Sequence, residues 1–137
     1  MSAALRIIVY KGSPVDASEF RHTALFLEFP DKSTLMIHVI GPNQFYQTEV
    51  KSGVDPAYSK KFIKKISVGT IQGQTKAAIE SRIKATPVKN SDRSWNCQHW
   101  IGDALKRLAD QKWISGGARS AAIDAMAEVI ADAPDES

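Results

Sequence analysis

The 137-residue chain has one cysteine, three histidines and no apolar run of membrane-spanning length. A lone thiol cannot close an intramolecular disulfide, which points to a reducing compartment. Met1 to Arg6 carries neither the basic region nor the long apolar core of a secretion signal, so a cytoplasmic location is expected. Nothing approaches the ~18 to 20 apolar residues of a membrane span, so no integral membrane segment is expected either. With no His-x-x-x-His or Cys-x-x-Cys spacing, neither a metal nor another cofactor is expected.

Charge is also unconcentrated. The net charge is +3 and the pI about 9.0. The single dense cluster, Lys60, Lys61, Lys64 and Lys65, interleaves with Phe62, Ile63 and Ile66. That pattern reads as a half-buried segment with a solvated lysine face, and no nucleic-acid partner is expected. An electrostatic adaptor built on these lysines is the weakest alternative.

What is present is an ordinary globular composition, 43% hydrophobic and 24% charged. The length suits one domain over residues 1–137 with a core of its own, and residues 132–137, acidic and terminal, should fray.

Leu5 to Tyr10 is β-branched and aromatic and predicts a first strand, followed by a turn at Lys11-Gly12-Ser13-Pro14 and a loop over Asp16 to Phe20. His22 to Phe29 and Thr34 to Ile40 predict a hairpin closed at Pro30-Asp31-Lys32-Ser33. Both strands are apolar at nearly every position, as strands covered on two faces are. Further strands are expected over Gln44 to Val50 and Phe62 to Ile71, giving an antiparallel sheet.

Thr75 to Ala85 predicts a short helix stopped by Pro87. Cys97, Trp100, Ile101, Ala104, Leu105 and Leu108 then fall on one face of a second helix, N-capped by Asn96. After a break at Ser115-Gly116-Gly117, a third helix is expected over about Arg119 to Ala131. The fold class is α+β: an antiparallel sheet packed on the helix that carries the cysteine.

Cys97 sits at the first turn of its helix, where partial positive charge and a nearby imidazole would favour a thiolate. Placed on the apolar stripe, it is also what a buried structural cysteine looks like. His99 lies about 200° around the helix from the sulfur and is a poor base; Gln98, about 100° away, reads either as a side-chain helper for an oxyanion or as surface solvation. His22 and His38 occupy the same end of the predicted hairpin. A three-residue loop would put them on one face, and a two- or four-residue loop on opposite faces, so His22 is the firmer base and His38 a conditional third member.

A histidine opening a strand (His22-Thr23-Ala24-Leu25), a second on the next strand (Leu35-Met36-Ile37-His38), and Asn96-Cys97-Gln98-His99-Trp100 opening a helix resemble the circularly permuted papain-like thiol enzymes. The order is most similar to the lecithin:retinol acyltransferase-like family of the NlpC-type superfamily, whose motif reads Asn-Cys-Glu-His-Phe. The PPPDE-type isopeptidases are similar too, and the resemblance spans roughly residues 5 to 110. Gln98, Trp100 and Thr23 stand where those acyltransferases carry an acidic residue, Phe and Trp.

The resemblance implies a permuted papain-like fold with Cys97 as nucleophile, His22 as general base and His38 orienting its imidazole. It implies a cysteine-dependent acyl hydrolase or acyltransferase, working on an ester or amide of a small-molecule or peptide acyl substrate through a thioester. The alternatives are a peptidase or isopeptidase on the same scaffold, and a non-catalytic binding module whose cysteine is structural.

Overall fold

A computed structural model describes residues 2–13 and 15–134. Five strands, β1 (Ser2–Tyr10), β2 (His22–Glu28), β3 (Thr34–Ile40), β4 (Gln47–Ser52) and β5 (Phe62–Gln72), form one antiparallel sheet in the order β4-β3-β2-β1-β5. Three helices follow: α1 (Lys76–Lys84), α2 (Cys97–Asp110) and α3 (Gly116–Ala131). The α+β expectation holds, with the helices gathered on one sheet face.

Strand alternation explains why both faces are apolar. Leu5, Ile7, Val9, Leu25, Leu27, Ile37 and Val39 point to the helix side and meet Trp100, Ile101, Leu105 and Leu108 of α2. Ile8, Ala24, Phe26 and Met36 point the other way, beneath Val54 of the connection between β4 and β5. Each fully buried Leu or Ile contributes roughly 1.5–3 kcal/mol by leaving water, so the two-sided sheet anchors both layers.

The hairpin turn decides the register. Phe29 N–H donates to Ser33 O, Lys32 N–H donates to Phe29 O, and Lys32 has φ 69°. This is the three-residue loop with a left-handed third position. Register pairs run from Glu28↔Thr34 to Leu25↔Ile37 and stop there. Toward its start β2 continues along β1, ending at Tyr10↔His22, while β3 continues along β4 through His38↔Glu49. The sheet therefore splits between β2 and β3 at the end that carries both histidines.

Several boundaries differ from the sequence expectation. β4 starts at Gln47 rather than Gln44, because Gln44 has φ 70° and Asn90 takes the backbone of Tyr46, accepting from its N–H at 2.9 Å and donating to its O at 3.1 Å. Gly116 and Gly117 open α3 instead of breaking the chain before it, since Ser115 Oγ accepts from Ala118 N–H as the N-cap. A 3₁₀ turn, Ser18–Phe20, replaces part of the expected loop. Asp132 caps α3 and Ala133 is buried, while residues 135–137 of the segment expected to fray lie outside those described. Among the described residues, no helix is long and apolar enough to cross a membrane.

Candidate active site

Asn96 builds the start of α2. Its extended backbone leaves the side-chain oxygen to accept from Gln98 N–H (2.9 Å) and His99 N–H (3.3 Å), while His99 Nδ1 accepts from Asn96 N–H at 3.2 Å. This reciprocal capping box engages His99 with its own helix end and away from any base role. It also fixes Cys97 as the first helical residue.

The sulfur lies against β2 in the split, where β3 no longer pairs. Cys97 Sγ approaches Arg21 O at 3.9 Å. Burial pushes the thiol pKa up, and the backbone N–H and hydroxyl of Thr23, with the N–H groups of Cys97 and Gln98, pull in the opposite direction. Burial dominates, so the resting group is a thiol. Thr23 is fully buried and its Oγ1 has no satisfied hydrogen bond. A thiol is a poor acceptor for that hydroxyl, whereas a thiolate is a good one.

The histidines form a directed chain. His22 Nε2 lies 2.7 Å from His38 Nδ1, and His38 Nε2 lies 2.7 Å from Glu49 Oε1. Glu49 is held below the usual carboxylate range by its hydrogen bond to His38. As a carboxylate it can only accept, so His38 carries its proton on Nε2 and offers the Nδ1 lone pair to His22 Nε2–H. His22 in turn keeps a free lone pair on Nδ1. Burial first, then the neighbouring His38, lowers the His22 pKa to about 4, and burial lowers His38 as well. Both rings are neutral bases at pH 7.

Cys97, His22, His38 and Glu49 line one open cleft of about 950 Å³. The three-residue turn meets the condition for His22 and His38 to share a face. By strand alternation that face is the one away from the helices, where the His22 ring stacks on Tyr10 at 5.8 Å. Cys97 reaches the split from the helix side, and His22 makes no hydrogen bond to its sulfur. The ring nitrogen left free by His38 is the one available to turn toward it.

Two further devices hold these parts together. Gln98 Nε2 donates to Ser18 O (2.9 Å) and Arg21 O (3.1 Å), which corrects the reading of Gln98 as a solvated surface residue. Buried Arg21 forks onto Asp16 (2.9 and 3.0 Å) and donates to Val129 O of α3 at 2.6 Å. That fork lowers the Asp16 carboxyl to about 2, and Asp16 Oδ1 also accepts from Gly12 N–H at 3.0 Å. A Cβ on Gly12 would stand 2.7 Å from Val15 O, so the loop closes this tightly only with glycine.

Across the cleft, the ring of Tyr46 packs edge-on against Trp95 at 5.7 Å, and its hydroxyl pKa is raised by burial and then by the charge of a Cys97 thiolate. Glu49 and Tyr46 had no local sequence signal that set them apart. Among the described residues, no group of three or more His, Cys, Asp or Glu side chains is arranged to hold a metal ion.

No curated protein and no solved structure matches the chain. A family model matches residues 7–115, a span that runs from β1 past the end of α2 and includes Cys97, His22, His38 and Glu49. The chain belongs to the family of unknown function DUF6540.

Proposed function

We propose that the protein is a cysteine-dependent acyl hydrolase or acyltransferase on a permuted papain-like scaffold, acting on an ester or amide. The observation that carries this reading is the Glu49–His38–His22 chain meeting the N-terminus of the Cys97 helix at one cleft. In the reaction, His22 Nδ1 takes the thiol proton and the sulfur attacks the substrate carbonyl carbon. The imidazolium then protonates the departing alcohol or amine, leaving a thioester on Cys97. Water or a second nucleophile, deprotonated by the same nitrogen, attacks the thioester and releases the acyl group. The N–H groups of Gln98 and His99 are taken by the Asn96 side chain, which leaves the Cys97 backbone N–H at the start of α2 to face the developing oxyanion.

A peptidase or isopeptidase would use the same steps on a peptide amide. The non-catalytic reading is favoured by a different observation: burial raises the Cys97 thiol, and His22 hydrogen-bonds to His38 rather than to the sulfur.

Intact-protein mass spectrometry after exposure to ester and amide libraries separates these readings. An acyl adduct on the wild type that is lost in Cys97→Ala is expected for the enzyme. Absence of any adduct, together with iodoacetamide reactivity at pH 6 no faster than that of an ordinary thiol of pKa ~8.5, supports the binding module.

A further inference from the structure

The histidine pair is a partition with a cleft on each side. Behind it, on the sheet face away from the helices, lies a second cleft of about 430 Å³, which His22, His38 and Lys51 also line. Its remaining charged lining is Lys11, Lys61 and Asp55. A volume of this size is on the scale of a small-molecule site rather than of a polymer track.

The lysines here are exposed and lightly paired. Lys11 N–H donates to Lys61 O at 2.7 Å, which joins the two backbones side by side. Among the described residues, neither Lys11 nor Lys61 has a carboxylate within ion-pair distance. Lys51 lies 3.6 Å from Glu49, whose Oε1 already accepts from His38. The one acid on the wall, Asp55, turns its carboxylate to the backbone and accepts from Ala57 N–H at 3.0 Å. Ser59 Oγ accepts from Lys61 N–H at 3.2 Å and keeps a proton to donate. Lys65 belongs elsewhere, 5.8 Å over the Phe26 ring and 3.9 Å from Glu28.

We propose that this back cleft binds a small organic anion, with a phosphate or carboxylate head held by Lys11, Lys51 and Lys61 and an apolar body lying on Met36, Val54 and Pro56. Three ammonium groups set against the carboxylates of Glu49 and Asp55 leave one net positive charge for the head to neutralise, and the apolar wall leaves a surface for the body to cover. The occupant would stand beside the His22–His38 pair from the side opposite Cys97, so it would feel the charge of the base without blocking the thiol. This site lies outside the acyl-transfer reading and does not depend on it.

The test follows the imidazole signals of His22 and His38 by NMR at pH 7 and fixed ionic strength, during titration with phenyl phosphate, benzoate, inorganic phosphate or phenol. Saturable shifts with phenyl phosphate or benzoate are expected, and whichever saturates first identifies the head. Inorganic phosphate should bind more weakly, and phenol should give no saturable shift. The double variant Lys11→Gln/Lys61→Gln should bind at least ~10-fold more weakly, whereas Lys64→Gln/Lys65→Gln should bind as the wild type does.

Shifts of equal size with phenol would overturn the proposal by showing a merely apolar pocket. Equal weakening in both double variants would overturn it by showing general surface charge, and so would failure of both organic anions to saturate. All readings are made in Cys97→Ala as well as in the wild type, so a dead thiol and an empty back cleft give separate results.

Discussion

His22 Nε2 and His38 Nδ1 stand 2.7 Å apart, with Glu49 Oε1 a further 2.7 Å beyond His38 Nε2, so one carboxylate sets the tautomer of two rings. Nitrogen-15 shifts of the imidazoles should show protonated Nε2 and bare Nδ1 on both histidines at pH 7. Glu49→Gln, which can donate as well as accept, should mix the tautomers and, for the proposed acyl transfer, slow the reaction by roughly 10- to 100-fold. A bare Nε2 on His38 in the wild type would contradict the assignment.

The depressed His22 pKa has a consequence for stability. An unfolded histidine takes up its proton near pH 6.5, but His22 in the folded chain does so only near pH 4. Between those values the unfolded state binds more protons, so stability is retained above about pH 6.5 and falls as pH drops toward 4. The loss should reach about 3 kcal/mol, from the size of the shift. Urea unfolding at pH 7, 5.5 and 4.5 measures it, and His22→Gln should flatten that part of the profile.

Thr23→Val should separate stability from reactivity. Its hydroxyl is buried without a satisfied bond, so replacing it with a methyl should leave stability unchanged or raise it by up to about 1 kcal/mol. The same change removes a donor to the Cys97 thiolate, so the pH-rate profile for iodoacetamide should move to higher pH. Thr23→Ser should restore the profile. A variant whose profile coincides with that of the wild type would remove Thr23 from the site.

Gln98→Glu replaces a donor amide with a carboxylate facing the carbonyls of Ser18 and Arg21. It should cost about 1–3 kcal/mol in urea unfolding, and Gln98→Ala about 1 kcal/mol. Hydrogen exchange should accelerate at residues 18–21 in both variants while the interior of α2 keeps its protection.

The hairpin was legible because its signals are local. Alternating β-branched and aromatic residues mark the strands, and Pro30 to Ser33 allow only a short turn. The turn geometry then answered the question that the sequence left open about His22 and His38. Cys97 on the apolar stripe of α2 was equally readable from helical spacing. Glu49 was not, because its place opposite His38 depends on the six residues between β3 and β4, whose path is set by Asn90 from far along the chain. Gln98 and Arg21 were hidden for the same reason: their partners are backbone carbonyls 80 and 108 positions away, and a carbonyl leaves no mark in a sequence.

The bond from Arg21 to Val129 O joins the residue immediately before His22 to the closing turns of α3. A helix that does not line the cleft with Cys97 therefore acts as the far abutment of the strand that holds His22. Fraying at its C-terminal end would be transmitted to His22 through a single side chain.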